Sequence, residues 1–104
     1  MAKYLFVYHG GNHPETEAEK AQAMDAWGVW FGSLGNAVVD GGNPVGPSTT
    51  VSSSGVENHG GANPASGYSI IEADSLDDAI GAATACPLIT VHNGTIELAE
   101  AVDM

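Results

Sequence analysis

A chain of 104 residues holds one hydrophobic core and not two. It carries thirteen acidic residues against two lysines, Lys3 and Lys20, and no arginine, for a formal net charge of −11. Such a surface repels phosphate backbones and lacks the guanidinium forks that grip phosphate or carboxylate, so no nucleic-acid partner is expected.

The run Lys3-Tyr-Leu-Phe-Val-Tyr-His9 predicts a strand. It is aromatic and β-branched with little alternation, the pattern of a central strand covered on both faces. A helix follows. Pro14 suits its first turn, and Glu15, Glu17 and Glu19 favour its positive end. Met24, Trp27, Phe31 and Leu34 recur on one face, and Gly35 sits where a left-handed terminal residue is wanted. Gly28 and Gly32 inside this helix point to a close backbone approach.

Residues 37–40, Ala-Val-Val-Asp, predict a short second strand running into a turn at Gly41-Gly42-Asn43-Pro44. Residues 45–66 are rich in Gly, Pro, Ser, Thr and Asn. Within them 49–51 fits a strand, and 52–66 an exposed loop or hairpin arm. Residues 67–73 predict a third main strand. Ser75, with Asp78 three residues on, opens a second helix whose apolar face is Leu76, Ala79, Ile80 and Ala83. Cys86-Pro87 is expected to end it. After Asn93-Gly94, residues 95–102 alternate cleanly, as in a strand with one wet face.

The order β-α-β-(β)-β-α-β predicts an α+β domain spanning 1–104. Two helices cover one face of an antiparallel sheet, in the ferredoxin-like β-α-β-β-α-β pattern with an added hairpin strand. In so small a domain an open sheet face is expected to find a partner subunit.

Cys86 is the only cysteine, so no internal disulfide or cysteine metal knuckle can form, and a buried thiol is the expected role. The first residues show no basic region followed by a long apolar run, and no stretch approaches a membrane span. A cytoplasmic location without membrane association is therefore expected. The glycine-rich segments at 41–44 and 60–64 lack the Gly-Lys-Ser/Thr ending of a phosphate loop.

Four histidines can carry chemistry: His9, His13, His59 and His92. No pair has the spacing of a helical zinc site, so neither metal nor cofactor is assigned. Asp40 ends an apolar strand. It can accept a proton or orient His9 in an acid–base pair; alternatively it is a turn aspartate bonded to its own backbone. Trp27 belongs to the apolar stripe, and Trp30 lines a pocket, a dimer contact or the core. His59 and Tyr68 are further candidates for ligand contact, with core packing the other reading for Tyr68.

Several blocks together resemble the YCII-related family: the opening Lys-Tyr-Leu-Phe-Val-Tyr; Gly-Asn-Ala-Val-Val-Asp-Gly-Gly-Asn-Pro at 35–44; Gly-Tyr-Ser-Ile-Ile-Glu-Ala-Asp-Ser-Leu-Asp-Asp-Ala at 67–79; Cys-Pro-Leu at 86–88; and Gly-Thr-Ile-Glu-Leu at 94–98. The resemblance implies a ferredoxin-like domain of the dimeric α/β barrel type, pairing through its sheet, with a cleft for a small molecule between sheet and helices. Some members of that family look like enzymes through a His on the first helix and an Asp near its end. Here Met24 and Ser33 stand near those positions. The family's Asp-Gly-Pro-Phe stretch is replaced by Asn58-His-Gly-Gly-Ala-Asn-Pro64.

Three functions follow as expectations. One is a homodimer with a small-molecule cleft lined by His9, Asp40, Trp30 and His59. The second is a non-catalytic interaction module with a filled cleft. The third is a small acid–base enzyme using His9 and Asp40. The charge generates a simpler expectation: screening relieves the self-repulsion of eleven uncompensated negative charges. The melting temperature should rise with added sodium chloride, and a flat or falling trend would contradict this.

Overall fold

The computed structural model describes residues 1–104. Strand β1 spans Ala2–His9, and helix α1 spans Glu17–Leu34. A 3₁₀ turn at Gly35–Ala37 leads into β2, Val38–Asp40. The hairpin strands β3, Thr50–Ser52, and β4, Gly55–Glu57, pair only with each other. Strand β5, Ala65–Ala73, is followed by α2, Leu76–Thr84, by the short α3, Pro87–Thr90, and by β6, Thr95–Glu100. The main sheet is antiparallel throughout, in the order β2-β5-β1-β6.

Alternation along the two central strands sorts their side chains. Tyr4, Phe6 and Tyr8 of β1 and Ser69, Ile71 and Ala73 of β5 are buried beneath the helices. There they meet Trp30, Ala79, Ala83, Cys86 and Leu88. The opposite face carries Leu5 and Val7 beside Ile70 and Tyr68. No element of the same chain covers it, so β1 is central but covered on one face only. The molecule is correspondingly thin, 43 × 41 × 18 Å.

Helix boundaries follow local hydrogen bonding. Thr16 Oγ1 accepts from the Glu19 N–H at 3.1 Å, so α1 starts after Thr16, and Pro14 lies outside it. The Glu19 carboxylate reaches back to the Glu15 N–H at 3.0 Å. Ser75 caps α2 by accepting from the Asp78 N–H at 3.2 Å. Pro87 does not merely terminate α2. It occupies the first turn of α3, where its missing N–H costs nothing.

Two expectations about α1 are corrected. Met24 is 77% exposed and lies off the core. Trp30 is the buried tryptophan, at 4% exposure, with its indole N–H donated to the Ala82 carbonyl at 2.9 Å. Trp27 is only partly buried against the core. The helix is rotated so that Ala23, Trp30 and the edges of Trp27 and Phe31 face inward. Indole burial decides that rotation, because a tryptophan ring outweighs a methionine chain in apolar area.

After Asp40 the chain continues along the edge of β5. Val39 bulges out of the ladder, the Tyr68 N–H reaches the Asn43 carbonyl at 3.2 Å, and the Val45 N–H reaches the Ser66 carbonyl at 3.0 Å. This path passes directly over the Tyr68 carbonyl at Gly42. A Cβ at Gly42 would collide with that oxygen, and its φ of +74° is left-handed. Gly42→Ala should therefore cost about 3 kcal/mol or more in urea unfolding. Gly46→Ala, in open space, should stay within about 0.5 kcal/mol. Equal effects would contradict this account of the edge.

Candidate functional site

A cavity of about 670 Å³ opens between α1 and one end of the sheet. Trp27 and Phe31 of α1 and Gly67 of β5 line it, and Gly67 lies against the Tyr8 ring, Asn43 and Pro44. Two further glycine pairs bound it: Gly10-Gly11 after β1 and Gly41-Gly42 after β2. Tyr8 and Leu88 complete the apolar wall.

The aromatic wall is braced from within. Trp27 packs on Phe31 with ring centroids 5.9 Å apart, and Tyr8 meets it edge-on at 5.7 Å. Trp27 donates its indole N–H to His92 Nε2 at 3.1 Å, and His92 Nδ1 lies 2.8 Å from the Asn12 carbonyl. An indole N–H can only donate and a carbonyl can only accept. These partners therefore place the imidazole proton on Nδ1. The loop at Asn12 is tied to His92 a second time, by a backbone bond of 2.7 Å. His92 thus links α1 to the loop after β1, across 80 residues of chain.

Beneath this layer Tyr8 donates its hydroxyl to Ser69 Oγ at 2.7 Å, and Ser69 donates to the Gly41 carbonyl at 2.7 Å. Burial away from water raises the Tyr8 phenol well above its ordinary range, more than its bond to Ser69 lowers it. The same burial pushes the neighbouring Cys86 thiol up to about 11. Cys86 is fully buried and unpaired, in the role expected for it.

The structure does not bring His9 and Asp40 together. His9 lies at the β5 position opposite Ala65, and Asp40 lies opposite Ile70 on the far side of β5. Five positions along a strand is roughly 16 Å, before the width of the intervening strand is added. His9 instead places Nε2 3.0 Å from a Glu97 carboxylate oxygen and Nδ1 3.2 Å from the Pro64 carbonyl. Asp40 accepts the Gly42 N–H at 2.8 Å, which is the turn-aspartate arrangement. Neither residue lines the cavity.

Of the expected ligand-contact residues, Trp30 and His59 do not line the cavity, and Tyr68 borders it by its backbone beside Gly42 while its ring lies on the bare face of the sheet. Trp30 is committed to the core. His59 sits at the base of the exposed hairpin, 3.4 Å from a Glu57 carboxylate, with Nδ1 accepting the Gly61 N–H at 3.1 Å. Trp27, Phe31 and His92 take the places expected of Trp30 and His59. Nowhere do three His, Cys, Asp or Glu side chains cluster as metal ligands would. No helix is long and apolar enough to cross a membrane. Neither protein-family models nor curated protein sequences match the chain.

The buried thiol beneath the site makes a prediction about alkaline pH. Below the ordinary thiol value of 9.0 the group is neutral in both folded and unfolded chains, and its stabilising effect is complete. As pH rises from there toward about 11, the unfolded chain ionises first and stability falls. The urea midpoint should drop between about pH 8 and pH 10.5, and a thiol reagent should label Cys86 only after unfolding. Rapid labelling of the native protein would contradict this picture.

Proposed function

We propose that this protein is a YCII-like homodimer whose cavity between α1 and the sheet binds a small molecule. The observation that carries the reading is the cavity, preformed and lined in part by the aromatic rings of Tyr8, Trp27 and Phe31. Its volume lies within the range of sites for drug-sized ligands. The resemblance noted in the sequence supports the same reading. So does the strand order β2-β5-β1-β6, which matches a ferredoxin-like plan with a hairpin inserted before the third main strand. A cytoplasmic setting agrees with a lone reduced cysteine.

Surface area supports pairing through the bare sheet face. A compact protein of 10.6 kDa exposes about 5,500 Å², whereas this protomer exposes 6853 Å². The difference of roughly 1,400 Å² exceeds the ~800 Å² that each partner contributes to a standard interface. Leu5, Val7, Ile70 and Ala99 supply an apolar strip on that face, and Lys3 lies opposite Glu72 at its border.

An acid–base enzyme built on His9 and Asp40 has no geometric basis, given their separate partners. A purely structural module with a filled cleft is disfavoured by the space between α1 and the sheet. In sedimentation at micromolar concentration the protein should run as a dimer. Leu5→Asp, on the bare face, should shift it to monomer, whereas Val29→Asp, on the outer side of α1, should leave it dimeric. A monomeric wild-type protein would overturn the pairing.

A further inference from the structure

We propose that the cavity takes a monocarboxylate carried on an apolar body, with its charged head at Lys20 and its body along Met24 and Phe31. The inference rests on the binding role proposed above and specifies its ligand.

The stripe of α1 that faces the cavity supplies the first argument. Lys20, Ala23, Met24, Trp27 and Phe31 all line it, at intervals of three and four that keep to one side of a helix. From Lys20 to Phe31 is about 16 Å along the helix axis. The stripe therefore runs from a cation near the start of α1 to an aromatic ring near its end. Met24, between them, is 77% exposed and lies outside the core. A flexible thioether chain left bare on a cavity wall is apolar surface that a ligand would remove from water. Trp27 contributes less, because Phe31, Tyr8 and His92 already pack around it.

Charge supplies the second. The protein has thirteen acidic residues, two lysines and no arginine. None of the thirteen lines the cavity, although an even spread would place two or three among its 20 lining residues. One of the two lysines does line it, and so do His13 and His92. The only fixed charge on the wall is positive. A ligand cation would find no carboxylate there to replace its hydration. A dianion such as a phosphate monoester would find one lysine and no guanidinium fork, so a single carboxylate is the better match. The net charge of −11 slows the approach of every anion, wherever on the protein it binds.

Free binding capacity supplies the third. Lys20 Nζ lies 3.5 Å from a Glu17 carboxylate oxygen, and the two side chains are 53% and 94% exposed. An ion pair so open to water is worth little. Lys20 can therefore exchange Glu17 for a ligand carboxylate that is held in place by its buried body. Glu19, further along the first turn, is engaged with the Glu15 N–H. His13 enters none of the protein's three ion pairs, His9–Glu97, Lys20–Glu17 and His59–Glu57, and its imidazole N–H stays available as a second donor. The neighbouring Asn12 is bonded twice to His92, at 2.7 and 2.8 Å, which fixes the loop that carries His13. Both nitrogens of His92 are themselves engaged, with Trp27 and Asn12, so His92 serves as wall.

The test titrates octanoate, octanamide and octylammonium into the full chain at neutral pH and constant ionic strength, by calorimetry and tryptophan fluorescence. Octanoate should bind at least about fivefold more tightly than octylammonium. Lys20→Met, which keeps an apolar stem of similar length at an exposed position, should weaken octanoate about threefold and leave octanamide unchanged. Lys3→Met removes the same charge from the opposite face of the sheet and should leave octanoate binding as it is. Octylammonium binding as tightly as octanoate would overturn the ligand class while leaving the binding role standing. So would an octanoate affinity unmoved by Lys20→Met, or weakened equally by Lys3→Met. Failure of all three probes to bind with a dissociation constant below about 1 mM would overturn the inference and the binding role together.

Discussion

The structure depends on how three aromatic side chains of α1, Trp27, Trp30 and Phe31, pack against the sheet. Trp30 descends fully into the core, with ring contacts to Phe6 and Phe31 and an indole bond to Ala82. Trp27 meets Tyr8 of the sheet edge-on and packs on Phe31, and with Phe31 it borders the cavity between α1 and one end of the sheet. Bonding of Trp27 to His92, and of His92 to Asn12, ties α1 to the loop after β1.

A small core explains the other side of the sheet. Only 15 of 104 residues are buried, so one protomer gains little from its own core. The apolar strip along β1 and β5 on the bare face is the largest remaining source of burial. The exposed hairpin β3–β4, with Val51 directly opposite Val56 and both largely exposed, adds surface that the protomer does not use. An isolated two-stranded hairpin is marginal in water, so its order also depends on what surrounds it.

Much of this was legible in the sequence. The order of strands and helices, the hairpin within 45–66, the Ser75 cap and the burial of Cys86 follow from local patterns that tertiary contacts do not reverse. Helix α1 was less legible. Its apolar residues mark a face, but rotation by a fraction of a turn exchanges Met24 for Trp30, and only the packed rings decide between them. The start of α1 was signalled by Thr16-Glu-Ala-Glu19, a capping pattern, more reliably than by Pro14. The pairing of His9 with Asp40 failed because it required a strand register, and register is a long-range property. The cavity left little local signal, because its lining comes from α1, the loop after β1, the turn after β2 and β5, which only the tertiary fold brings together.

The most direct test of the central claim is a crystal structure of the protein. The account predicts two protomers packed through the face that carries Leu5 and Ile70, with the cavity beside Trp27 and Phe31 open and the Trp27–His92 bond intact. A structure of monomers in which α1 has closed over that cavity would contradict it.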